Sequence, residues 1–548
     1  GNPYTPTYIK ARVYIDLSDE ENFEAEYAAQ GYNIKVTQQS LGEYTALRDA
    51  ITSNIAAGTQ PTIAQTYPDH VALYIAGNAM QELDSYNESK WGLGAEESQY
   101  IDGFFAEGKI YDSENTLYSL PFNKSTEVLY YNKTIFEKYG WSVPKTWDEV
   151  VAISAKFAET SEYRTLVSAG KDVAGFSADS EANLFITFTQ QWGGAYTGYT
   201  DETGSGTQVP SGKGYILFDN AKSKEAIKFY YDNYQKGYMV TTTYFGTNYS
   251  SDAFKAGQCI MTLGSSAGAS YNVPTDGSFE VGVAAYPQKD PSNPQVIQQG
   301  TNVSLFKCTD PQEELAGWLF LKYLTNQASA KIWVMGYADY DKDGNVIDSA
   351  VGTSYFPIRK DVLNSTEYAD YISGKDVAAD GSVTYSPTTQ QLAAKVGLEQ
   401  QDWFFTNVAF DGSSAARDRA EALVQTLFYD DHGTKDINDV IDEVYAEATP
   451  ELVEWIHTYF VTDYMVDGET VDSILSAISR TFKIDYTVEF EGVWTPISHD
   501  RGGWCHSSKS LQLSGKEIDT ILDQIEDELL SKKVEAIFNH YGKKVHKE

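Results

Sequence analysis

Cysteine is scarce in this chain: three residues, Cys259, Cys308 and Cys505, among 548. Three thiols cannot build a disulfide framework, and the odd count leaves at least one unpaired in a monomer, so stability has to come from packing. Long apolar runs are missing too. No stretch of about 18 apolar residues is present to span a bilayer, and Gly1 does not open a basic-then-apolar leader, so an exported form is expected to have lost its signal segment. Positive charge is in deficit, with 41 Lys and Arg against 78 Asp and Glu and a formal net charge of -37. Such a surface repels phosphate backbones and anionic headgroups, which argues against nucleic acid as a partner of residues 1–449. Ordered catalytic patterns are also lacking: no nucleophile elbow, no phosphate-binding glycine loop, no helical His-Glu-x-x-His. Carboxylate pairs abound in so acidic a chain and carry little information. No catalytic residue, metal or cofactor is expected.

What is present is apolar residue enough, 42% of the chain, to give each of several domains a core. Tyrosine is abundant at 40 residues, and flat rings are common platforms for sugar faces. Alternation over Ala11–Leu17 predicts a strand, Asp19–Gln30 a helix closed by Gly31, and Asn33–Val36 a second strand. A helix follows over Gly42–Ala57, with Leu47, Ile51 and Ile55 on one stripe. Strand, helix, strand, helix at this spacing argues for a parallel α/β sheet. Further on, Glu127–Tyr131 reads as a strand, and Thr146 with Glu149 three residues later has the capping-box pattern. Helices are expected over Lys222–Lys236, Pro311–Val334, Thr388–Gln400 and Ala415–Phe428, and a hairpin at Asp343-Gly344-Asn345.

A boundary falls near Thr449, where Thr449-Pro450-Glu451 resembles a fresh N-cap, a first-position proline and an acidic first turn. Five of the seven histidines lie beyond it, as do only four of the 40 tyrosines. Residues 450–548 are therefore expected to form a separate α+β module with an unknown partner, either a natural extension or a fusion partner carried by the preceding chain.

Several ordered segments resemble the extracellular solute-binding proteins of ABC importers, the family that includes maltose-binding protein. They are Ala56-Ala57-Gly58 leading to Pro61-Thr62-Ile63-Ala64-Gln65, Leu120-Pro121-Phe122, Tyr131-Asn132-Lys133, and Pro144 to Glu149. The likeness continues through Gln191-Trp192-Gly193-Gly194, Phe254 to Gln258, Gly264-Ser265-Ser266, Trp318 to Leu324, Tyr355 to Lys360 and Gly412 to Arg417, covering about residues 9–449. Thr62 stands where aspartate is usual, and the first helix is short for the family.

The resemblance implies an α/β fold of two lobes with hinge crossings near Leu120–Phe122, Val296–Gly300 and Ser354–Ile358. Lobe 1 is then expected over 1–120 and 300–355, and lobe 2 over 121–299 and 356–449. It also implies an extracellular receptor, lipid-anchored on a Gram-positive cell surface or periplasmic. Such a receptor would capture a small polar ligand, a mono- or oligosaccharide above all, in the cleft between lobes and pass it to ABC importer permease subunits. A glycoside hydrolase is the rival enzyme class.

Candidate ligand residues follow from what the resemblance implies, in particular for Trp192, Trp403 and the crossings, and from side-chain chemistry. Trp192 and Trp403 are stacking platforms or, on the plainer reading, core rings; Phe356 lies at the third crossing. Tyr67 and Asp69 follow a predicted strand and are expected at the cleft edge. Asn123, Lys124 and Ser125 follow the first crossing, Gln299 and Asn302 flank the second, and Ser265 and Ser266 sit between Gly264 and Gly268. Amides and hydroxyls there suit uncharged polyols. Asp339 to Gly344 has half a calcium loop, but Ala350 stands where a bidentate Glu is needed, so a plain hairpin is expected. His499, Cys505 and His506 do not complete a zinc set.

Overall fold

Fourteen consecutive residues, Ser119–Asn132, form one strand that leaves one hydrophobic core and enters a second. The computed structural model describes the chain from Thr7 to Ala448, apart from 13–19, 42–43, 201–205, 208–213, 341–345, 379 and 411, together with 495–496 and 504–505. The expected module over 450–548 therefore lies, but for those four residues, outside the described residues.

The chain begins with β1 (Thr7–Arg12), α1 (Glu20–Ala29), β2 (Ile34–Gln38), α2 (Tyr44–Ala56), β3 (Ile63–Thr66) and α3 (Pro68–Ala76). The first strand lies earlier than the one expected over Ala11–Leu17, most of which falls outside the described residues, and β1 pairs in parallel with both β2 and β3, as the strand-helix spacing implies. The long strand is β4. After it come α4 (Trp147–Ala158), β5 (Ala174–Ala178), α5 (Glu181–Gln191), β6 (Met239–Thr241), β7 (Cys259–Ser265), β8 (Val281–Ala284) and β9 (Val296–Leu305). The last part contributes α6 (Pro311–Leu324), α7 (Thr389–Glu399), β10 (Phe404–Phe405), α8 (Ser413–Tyr429) and α9 (Ile437–Ala448).

The main path through the sheet runs β2-β1-β3-β9-β4-β7-β5-β6. Residues Ser119–Thr126 of β4 pair with β9, whereas Glu127–Tyr131 pair with β7, so β4 and β9 form the bridge between two lobes. Gly300 on β9 makes this crossing possible. Its φ is +99°, and a Cβ there would lie 1.7 Å from the Asn123 carbonyl oxygen. Only glycine fits so close an approach with that backbone.

Each lobe has its own core. In the first, Ile63, Leu120, Val303, Leu305, Trp318 and Phe320 pack together. In the second, Trp147, Phe176, Phe185, Phe188, Tyr230, Leu423 and Tyr445 do so. Trp147 and Trp318 are essentially fully buried, and a ring of that size withdraws about 200 Å² from water. Each indole nitrogen finds a partner, Trp147 donating to Gln191 Oε1 at 2.8 Å and Trp318 to the Trp91 carbonyl at 3.0 Å.

Local signals read from sequence recur here. Thr146 and Glu149 form a complete capping box at the start of α4. The strands Gly336–Tyr340 and Val346–Val351 pair antiparallel, and the residues joining them lie outside the described residues. Two expectations need correction. The helix expected over Pro311–Val334 is two helices, because Asn326 accepts a hydrogen bond from the Ser329 amide and starts a new one at Gln327. The return of the chain to lobe 2 at 356 comes too early, since Ile358, Val362 and Tyr368 pack in the first core beside Leu120 and Trp318.

Candidate ligand cleft

The two strands that cross between the lobes meet the 355–356 segment at Lys124. Its backbone pairs with Gly300 on β9, and its carbonyl accepts from the Phe356 amide at 2.8 Å. Its ammonium, 0% exposed, donates to Glu107, and Gln298 Nε2 donates to the other oxygen of the same carboxylate at 2.9 Å. Burial pulls the Lys124 pKa down, and the Glu107 carboxylate opposes that. A charge buried this deeply persists only when paired and hydrogen-bonded, so this node is part of the hinge framework.

Beyond the node, side chains from both lobes converge. Tyr67 caps the start of α3 and packs edge-on to Tyr44, at the start of α2, with ring centroids 4.9 Å apart. Burial raises the Tyr67 hydroxyl well above its ordinary pKa, and the neighbouring Tyr44 and Tyr355 hydroxyls add to that. Tyr355, next to Phe356 beside the crossing strands, is raised chiefly by burial, then by Tyr44 and by Tyr271 from lobe 2. Tyr271 is 67% exposed. Tyr67 and Tyr355 therefore stay neutral and keep both a donor and an acceptor.

Charged groups bridge the lobes in reciprocal fashion. Arg48 on α2 donates to Ser414 Oγ at 2.9 Å and to Asp418 at 3.1 Å, both on α8. Arg417 on α8 lies 3.9 Å from Asp69 on α3 and donates to Asn183 Oδ1, on α5, at 2.6 Å. His70, beside Asp69, is held below its ordinary pKa by burial.

Of the residues expected from sequence, Tyr67 and Asp69 belong to this convergence. Trp192 does not. It is 7% exposed, stacks on Phe188 at 5.0 Å and packs against Phe229 in the second core, with Lys289 over its ring. Its flanking Gly193 has a positive φ and ends α5, so the glycines serve the helix terminus. Phe356 is fully buried between Phe104 and Phe404, and Trp403 is half-buried against the second core.

The hinge residues make structural bonds. Asn123 accepts from the Trp333 indole at 2.7 Å, and Asn302 donates to Ser119 Oγ at 2.9 Å while its buried Oδ1 has no hydrogen-bond partner among the described residues. Ser266 accepts from the Thr126 amide at 3.3 Å, and Ser265 caps the turn that follows by accepting from the Ala267 amide. Ser125 is buried opposite the half-buried Gln299.

Reading the sequence for sites missed Tyr44, Tyr355, Arg417 and Arg48. Tyr355 and Arg417 stand in segments that carry the resemblance, which was the available signal. Arg48 had none, because its partners lie more than 360 residues away.

Comparison with known proteins agrees with this architecture. The family model for bacterial extracellular solute-binding proteins matches residues 16–331. The sn-glycerol-3-phosphate-binding periplasmic protein UgpB of Escherichia coli K12 is 25% identical over 350 residues, 61% of this chain and 74% of that protein. The fold resembles that of UgpB from Mycobacterium tuberculosis in complex with glycerophosphocholine, with a TM-score of 0.59 at 16% identity over 83% of this chain and all of that one. Maltose-bound T. maritima MalE3 aligns with a TM-score of 0.56 at 16% identity, covering 80% and 99% of the two chains. Among the described residues no helix is long and apolar enough to cross a membrane. With a family model matching more than half its length and the two-lobe periplasmic-binding-protein fold, the chain belongs to the bacterial extracellular solute-binding proteins.

Proposed function

We propose that the chain captures a small polyhydroxylated solute, a mono- or oligosaccharide, between Tyr44, Tyr67, Tyr355 and Tyr271, and delivers it to the permease subunits of an ABC importer. The observation that carries this reading is the convergence of four phenols from the two lobes, of which Tyr67 and Tyr355 are kept neutral chiefly by burial. Phenol faces cover the C–H faces of a sugar ring, and their hydroxyls pair with its hydroxyls. Contacts from both lobes make the solute favour the closed state, which is what a receptor needs. Asp69 and Arg417 serve as polar partners at the same edge. The solute is bound and released unchanged, without catalysis or cofactor.

One observation supports a second ligand class. Arg417 spends one donor on Asn183 and sits only loosely against Asp69, which suits a phosphate-bearing polyol such as the glycerol phosphates that relatives are named for binding. Calorimetric titration across neutral sugars, sn-glycerol 3-phosphate and glycerophosphocholine decides between them. A one-to-one isotherm with a neutral sugar and no new reducing ends supports the first reading. Binding only of the phosphates selects the second, and turnover of an oligosaccharide replaces both with a glycosidase.

A further inference from the structure

Glu127 is the first residue of β4 beyond the crossing, and it stands 3% exposed inside lobe 2. One carboxyl oxygen accepts from Asn183 Nδ2 at 3.3 Å; the other is buried without a hydrogen-bond partner among the described residues. The far end of the same Asn183 amide accepts from Arg417 Nη1 at 2.6 Å, and Arg417 reaches across the cleft toward Asp69, 3.9 Å away. Four side chains on β4, α5, α8 and α3 thus form one continuous line from the hinge strand, through lobe 2, to the facing lobe. The Asn183 amide fixes its direction, since its nitrogen serves Glu127 and its oxygen serves Arg417.

Three other titratable groups face Glu127. Asp179, at the end of β5, accepts from the Ser250 amide and hydroxyl and opposes a second negative charge; Arg417 favours one; Tyr286 contributes a buried hydroxyl beside Thr187. Asp69 and His70 lie beyond Arg417, on the other lobe.

We propose that Glu127 is a positioning residue for Arg417, whose proton decides whether the guanidinium reaches across the cleft or is held back in lobe 2. With Glu127 neutral, Arg417 has no negative charge at the lobe 2 end of the line and extends toward Asp69, so the closed cleft is favoured. With Glu127 ionised, a buried carboxylate one amide away competes with Asp69 for the same cation, and closure weakens. Burial pushes the Glu127 carboxyl up to about 7, with Asn183 opposing, which places the change between mildly acidic and mildly basic pH. The inference rests on Arg417 facing the cleft and on no particular solute.

The test is therefore made without solute. Spin labels at the exposed positions of Glu88→Cys and Lys171→Cys, one on each lobe, in a Cys308→Ser, Cys505→Ser background, report the interlobe distance by pulsed dipolar spectroscopy. The ratio of closed to open distances is expected to fall severalfold as pH rises from 5.5 to 8.5. Glu127→Gln is expected to abolish that fall, Asn183→Ala to abolish it while Glu127 remains, and Asp179→Asn to retain it. Thermal melts confirm that each variant is folded. A wild-type ratio independent of pH, or a Glu127→Gln protein that keeps the wild-type pH dependence, overturns the proposal. Neither outcome touches the reading of the cleft as a solute site, which the titrations test separately.

Discussion

Replacing Glu127 by glutamine removes a titration whose position fixes how stability changes with pH. Burial is the main cause of the Glu127 shift; the Asn183 hydrogen bond lowers the pKa again and Asp179 raises it, leaving it near 7 against an ordinary 4.5. In the unfolded chain the carboxyl loses its proton near the ordinary value. Between the two pKa values the folded protein therefore holds a proton that the unfolded chain has lost, and stability falls as pH rises. The contribution is complete below about 4.5 and gone once pH has passed through about 7. At about 1.4 kcal/mol per unit, a shift of roughly two and a half units amounts to about 3 kcal/mol. Glutamine cannot ionise and lacks this decline. Urea unfolding followed by tryptophan fluorescence at pH 5 and pH 8 should show the wild type losing about 2.5 kcal/mol more than Glu127→Gln over that interval, part of the decline having occurred below pH 5. Asp179, pushed up to about 6 mainly by burial, adds a decline in both proteins, and the difference between the profiles reads Glu127 together with its coupling to Asp179. Parallel pH profiles for the two proteins would refute the reasoning.

Three further outcomes are expected. Trp192→Ala should lower stability by about 3–5 kcal/mol through the cavity it leaves, while calorimetry on the folded protein finds solute affinity little changed. Glu107→Ala should destabilise by about 3–5 kcal/mol because it strands a buried ammonium; adding Lys124→Met should recover much of the loss in the same denaturation assay. Arg48→Ala removes bonds that span the lobes, but Asp418 is exposed. It should weaken solute binding by no more than about fivefold, near 1 kcal/mol, with titrations in low and high salt converging on the variant's affinity.

The parts of the fold legible in sequence were those carried by local chemistry. The Thr146–Glu149 capping box needs only its own four residues, and the alternating strands and helices before Ala76 need only their periodicity. The break at Asn326 was missed because a continuous apolar pattern hid a polar cap. The bridging role of β4 shows in sequence only as separate strand and crossover signals, since the two cores it joins are assembled from distant residues. The site was less legible. Trp192 is a candidate stacking platform in sequence, yet it closes a helix whose last turn packs its ring on Phe188. Arg417 and Asp69 lie nearly 350 residues apart, and no local pattern announces an ion pair between them. Lys124 is expected after the first crossing and Ser266 between Gly264 and Gly268, but neighbours occupy the polar groups of both.

The central claim is that solute binds between the lobes against Tyr67 and Tyr355. It is tested most directly by calorimetric titration of wild type, Tyr67→Ala and Tyr355→Ala with whichever solute of the sugar and glycerol phosphate panel binds the wild type, each variant first shown to be folded by its melting curve. The expected result is one-to-one binding by the wild type and a loss of about tenfold to hundredfold in affinity for each variant, equivalent to about 1.4–2.8 kcal/mol. Unchanged affinity in both folded variants would contradict the claim and move the site elsewhere.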